Sequence, residues 1–110
     1  MGPLDEPVSP HNPGDLFVPL RGEWFDAFEA GTKTWEHRLL HRGWNETNCV
    51  VGRRVTLSRG YSGRRLYGVI TDVKVQPIDA TEARSVYPDA PIDARVISFQ
   101  IVLGDDPGTP

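Results

Sequence analysis

The stretch Gly31-Thr32-Lys33-Thr34-Trp35-Glu36-His37-Arg38 decides how this chain is laid out. Ahead of it, Trp24, Phe25 and Phe28 fall at helical spacing, with Glu23 and Asp26 where the first turn of a helix favours carboxylates. Gly31 supplies the left-handed stop for a helix that opens at Gly22. A short amphipathic helix must bury its stripe, so Trp24 and Phe28 read as core rather than as a base-stacking platform. Beyond the stop, alternation over residues 34–40 puts Thr34, Glu36 and Arg38 on one face of a strand and Trp35, His37 and Leu39 on the other. A helix stop therefore turns directly into a strand, and a lysine, a glutamate and an arginine are presented along it.

Working outward, the apolar run at residues 16–20 predicts a first strand. Gly52 marks a turn before a strand over 53–59, where Val55 and Leu57 alternate with Arg54, Thr56 and Ser58. Ser62-Gly63 is a hairpin signal. The next strand, ended by Pro77, is expected to carry Tyr67, Val69, Thr71, Val73 and Val75 on one side. Residues 80–87 predict a short helix stopped at Pro88, and 96–103 a closing strand with Ile97, Phe99, Ile101 and Leu103 on a single face. Five strands and two short helices make an α+β, mostly β fold: a small barrel or strongly curved sheet, with a sandwich still compatible with periodicity alone. The domain spans 16–103, between a proline-rich leader (1–15) and a tail (104–110) that are both expected to be mobile.

No run approaches the roughly 18–20 apolar residues of a membrane-spanning helix, and residues 1–15 lack the basic start and apolar run of a secretory signal. Cys49 is the single cysteine, which excludes an internal disulfide and favours a reducing compartment, so the chain reads as cytoplasmic with no membrane partner. His37 and His41 stand four apart, a spacing that aligns metal ligands on a helix but not on a strand running into a loop; neither metal nor cofactor is expected. The net charge of -3 is unevenly spread. Residues 33–65 carry eight basic groups against Glu36 and Glu46, between two acidic flanks, a distribution that suits a local anion-attracting surface.

The pattern Gly-x-Lys-x-x-Glu-x-Arg, after a short apolar strand and an aromatic-bearing helix, resembles the signature of the ASCH domain family. Val18-Pro19-Leu20, Val51-Gly52-Arg53-Arg54-Val55 and the strand over 66–73 follow in the family's order, so the resemblance covers residues 16–103. It implies a small PUA-like β-barrel with a cleft lined by Lys33, Glu36 and Arg38. Members are similar to RNA-binding PUA domains, and some are ribonucleases or amidohydrolases of acylated cytidine. In the amidohydrolase branch the position matching Glu36 is a threonine nucleophile. This chain departs there, with Thr34 two residues away as a weaker candidate.

Lysine and arginine suit phosphate, and a glutamate can accept from an exocyclic base amine. A plain strand-face ion pair is the alternative for the same three residues. A second group, Arg53, Arg54, Ser58, Arg59, Tyr61, Arg64 and Arg65, surrounds the hairpin and could contact phosphate or stack on a base; the alternative is a solvated, charge-protected edge. Trp44 is either an exposed aromatic contact or a lid over the end of the barrel. The leading expectation is an RNA- or nucleotide-binding module. The alternatives are a metal-independent ribonuclease or modified-nucleoside hydrolase using Lys33 and Glu36, and a protein-interaction adaptor using the leader.

Overall fold

The computed structural model describes residues 14–104. The order is β1 (Leu16–Leu20), α1 (Gly22–Ala30), β2 (Trp35–Leu39), β3 (Arg54–Arg59), β4 (Arg65–Pro77), two 3-10 turns (Ile78–Ala80 and Glu82–Ser85) and β5 (Arg95–Gly104). The expected leader and tail lie outside the described residues except at Gly14, Asp15 and Gly104. Asp15 is buried and accepts from Thr56 Oγ1 at 3.3 Å, while Gly104 ends β5 opposite Tyr67.

The strands form one curled sheet ordered β1-β3-β4-β5-β2, parallel between β1 and β3 and antiparallel elsewhere. The fold is α+β, mostly β, and the sheet curls into a half-barrel rather than a closed barrel, with β1 and β2 as its edges. Side chains bridge the open seam. Arg38 on β2 donates through Nη2 to Pro19 O on β1 at 2.6 Å. Trp44, from the loop between β2 and β3, stacks on Phe99 with ring centroids 6.0 Å apart.

The hollow of the half-barrel is filled. Phe25 and Phe28 of α1 pack there against Val18, Leu57, Ile70, Ile97, Phe99 and Ile101. The expected stripe is narrower than three aromatics: Trp24 sits about 100° round the helix axis from Phe25 and is only half-buried. Gly31 ends α1 as expected, at φ 81°. Its N–H reaches Phe28 O and the Thr32 N–H reaches Ala27 O, the paired bonds of a Schellman stop. That stop aims the chain at β2 within three residues and delivers Lys33 to the rim of the sheet.

Two local expectations are overturned, and β3 is more buried than its alternation required. In β4, Ile70 pairs with Ile101 and Asp72 with Gln100, so Thr71 is an extra residue and forms a bulge. Leu66 and Ile70 face the core before it and Val73 and Val75 after it, which breaks the even alternation expected from Tyr67 to Val75. In β3, Thr56 and Ser58, which alternate with Val55 and Leu57, are buried as well, because Asp15 takes one hydroxyl and Arg65, lying 5.2 Å from the Phe17 ring, takes the other. The helix expected over 80–87 is replaced by the 3-10 turns. Thr81 interrupts the chain there, accepting from Ala83 N at 3.0 Å, and a small second core of Ile78, Ala83 and Val96 pins the turns to β5.

The hairpin between β3 and β4 turns where Ser62-Gly63 predicted it. Gly63 N–H bonds Arg59 O at 3.1 Å, and a Cβ on Gly63 would run into that same carbonyl oxygen. Gly63→Ala is therefore expected to cost about 1–3 kcal/mol through overpacking of the turn, read as a lower urea midpoint.

Candidate functional site

Because the concave side of the sheet is core, an open groove lies on its other side, at the end where α1, β2 and β4 meet the 3-10 turns. Its volume is about 720 Å³. Trp24 and Ala27 of α1 form one bank and Ala80, Thr81 and Glu82 another. Trp35 and His37 project into it from β2, and Lys74 and Gln76 from β4. Thr32, Lys33 and Thr34 line the end where the helix stop enters the strand.

Lys33 is the best-anchored of these. Its Nζ donates to Trp35 O at 2.7 Å and to Glu82 Oε2 at 3.3 Å, and lies 3.6 Å from Glu36 Oε1. It also sits over two rings, 5.3 Å from the Trp24 centroid and 5.5 Å from that of Phe28. Aromatic faces and carboxylates together hold the ammonium while it is largely withdrawn from water.

His37 is fixed by a small polar chain. Gln76 Nε2 donates to Ser98 Oγ at 2.9 Å, and that hydroxyl stands 2.7 Å from His37 Nδ1. In the tautomer in which Ser98 Oγ donates to Nδ1, the neutral imidazole carries its proton on Nε2, the nitrogen 4.0 Å from Glu82 Oε2. Burial, and next the Lys33 charge, hold this imidazole below its usual range, which keeps the ring neutral at pH 7. Lys74 lies with its ammonium 4.9 Å from the Trp35 centroid.

The octapeptide is split between two faces. Lys33 and Thr34 reach the groove; Glu36 and Arg38 do not line it, because they alternate with Trp35 and His37 and point into the half-barrel, opposite Phe99 and Ile97. There Glu36 Oε2 accepts from Arg38 Nε at 2.6 Å, and Arg38 lies 4.5 Å from the Trp44 ring. Glu36 thus holds two cations in place, Arg38 across the seam and Lys33 at the groove. Trp44 is half-buried against the core and stacks on Phe99.

The basic hairpin residues do not join the groove. Arg59 is bonded to Asp26 and Arg64 to Glu29, both on α1, so the acidic helix balances much of the charge that the sequence suggested was free. Arg53 bonds the carbonyls of Gly14 and Asn48, Arg54 lies 4.0 Å from Asp15, and Arg65 holds Ser58. Tyr61 stands at the tip with 79% of its surface exposed. The sequence reading missed Trp24, Lys74, Gln76, Thr81 and Glu82 as groove residues. The face shared by Trp35 and His37 was visible in the alternation, but nothing local marked it as the open one. Comparison with family models, characterised proteins and solved structures finds no match to this chain.

Proposed function

We propose that the chain is a recognition module for a nucleoside or nucleotide, of the type its ASCH-like octapeptide suggests, and that the ligand lies in the groove outside β2 and β4. The observation that carries this reading is a groove of about 720 Å³ with two indole rings, Trp24 and Trp35, and amide, imidazole, hydroxyl and ammonium groups among them. Its size suits a small organic ligand, indole faces stack on any base, and the Gln76 amide and the Thr34 and Thr81 hydroxyls are groups that read base and ribose edges. A free nucleotide or a single RNA nucleotide fits this reading better than a long RNA track, since Arg59 and Arg64 are already paired.

Catalysis has less to stand on. Thr34 lines the groove, but among the described residues no hydrogen bond joins its hydroxyl to a base, and Glu36 is engaged by Arg38. The test is a titration of ribonucleosides, their 5′-monophosphates and a short single-stranded RNA, followed by intrinsic fluorescence. Trp35→Ala should weaken binding by about 1–3 kcal/mol, roughly 5- to 150-fold, with Trp35→Phe retaining most of it. Affinity unchanged in both Trp24→Ala and Trp35→Ala would sink the proposal. RNA binding that scarcely responds to salt would argue against phosphate contacts.

A further inference from the structure

Two ammonium groups and an imidazole reach the groove from three elements: Lys33 Nζ from the helix stop, His37 Nε2 from β2 and Lys74 Nζ from β4. Their counter-charges differ in kind. Glu36 has a side chain only 10% exposed, faces away from the groove and is committed to Arg38 at 2.6 Å. Glu82 stands on the short turn over the groove with its side chain 61% exposed, and its Oε2 is 3.3 Å from Lys33 Nζ and 4.0 Å from His37 Nε2. Lys74 has no carboxylate within ion-pair distance among the described residues and rests over Trp35 instead.

An exposed carboxylate paired in this way is weakly held, because solvent competes for both partners. Glu82 therefore marks a point where a negatively charged oxygen stands 3.3 Å from a buried ammonium and 4.0 Å from an imidazole nitrogen, and it is itself readily displaced. We infer that this point is a phosphate subsite, that the groove takes a nucleoside 5′-phosphate in preference to a nucleoside, and that Glu82 occupies the subsite in the free protein as an internal substitute for the ligand's phosphate. A phosphate oxygen takes the place of Glu82 Oε2, accepting from Lys33 Nζ and His37 Nε2–H. Lys74 leaves the Trp35 ring to become the phosphate's third donor and thereby uncovers that indole face for the base. Glu36 stays put and keeps Lys33 aimed at the groove. The base half of this picture rests on the nucleotide reading above; the anion half does not.

The experiment is calorimetric titration of wild type, Glu82→Gln and Lys74→Gln with the four ribonucleosides, their 5′-monophosphates and inorganic phosphate, each variant being checked by its urea midpoint. The expected result is tighter binding of a monophosphate than of its nucleoside, an affinity ratio that rises about two- to fivefold in Glu82→Gln, and a ratio that falls in Lys74→Gln. A monophosphate bound no better than its nucleoside, or a ratio that stays level or falls in Glu82→Gln, overturns the subsite and leaves the nucleoside reading standing. Inorganic phosphate binding that tightens in Glu82→Gln, with no nucleoside or nucleotide bound, supports the subsite and overturns the nucleotide reading. Failure of every probe overturns both.

Discussion

Arg38→Ala is expected to lower the stability of the fold by about 3–5 kcal/mol, seen as a fall in urea midpoint. The Arg38 side chain is 13% exposed and its carboxylate partner 10%. One guanidinium does three things there: it donates to Glu36 Oε2 at 2.6 Å, donates to Pro19 O at 2.6 Å, and lies 4.5 Å from the Trp44 ring. Removing it leaves a withdrawn carboxylate facing only Lys33 at 3.6 Å, strips a donor from the β1 edge and loosens the loop that caps the seam. The cost comes mostly from the charge left behind, not from the attraction lost. Two corollaries make this checkable. Arg38→Lys should recover only part of the loss, because an ammonium cannot serve a carboxylate and a carbonyl in the fixed fork of a guanidinium. The double change Glu36→Gln/Arg38→Met should be closer to wild type than Arg38→Ala, since it leaves no carboxylate without its guanidinium and Lys33 keeps Glu82 at 3.3 Å. A midpoint unmoved by Arg38→Ala would mean that the seam is held by something else.

The same residues show why part of the site was legible and part was not. The helix stop and the strand after it are local features. Gly31 alone sets the left-handed turn, and a two-residue period fixes which side chains share a face, so the opposition of Glu36 and Arg38 to Trp35 and His37 was available in the sequence. Which face holds the groove is decided by the curl of the whole sheet, which gives the concave side to Phe25, Phe28 and Phe99. That is long-range information. The bulge is harder still: Thr71 continues the apparent alternation in the sequence but is an added residue in the ladder, so Lys74 and Gln76 emerge on a face that a regular strand counted from Tyr67 would also have given, while Tyr67 and Val69 change sides. The charge count failed for a related reason. Arg59 and Arg64 meet Asp26 and Glu29 only because α1 packs back over β3.

One consequence of the two-faced sheet is that stability and recognition should be separable along a single strand. Phe99 points into the half-barrel, fully buried and stacked on Trp44, while its neighbour Ser98 faces the other way and holds His37. Phe99→Ala removes the ring that the seam closes over and is expected to cost about 3–5 kcal/mol, with Phe99→Leu costing less because it leaves a smaller cavity. Titrated well below its own urea midpoint, the Phe99→Leu protein should still bind the groove ligand, because Trp35, Lys74, Gln76 and Ser98 keep their frame. Trp35→Ala should show the converse, a large loss of affinity with a small shift in midpoint. The crossed result would be the informative failure. If Phe99→Leu abolished binding with the midpoint hardly changed, the ligand would lie on the concave side, and Glu36 and Arg38 would regain the direct role that the octapeptide implied for them.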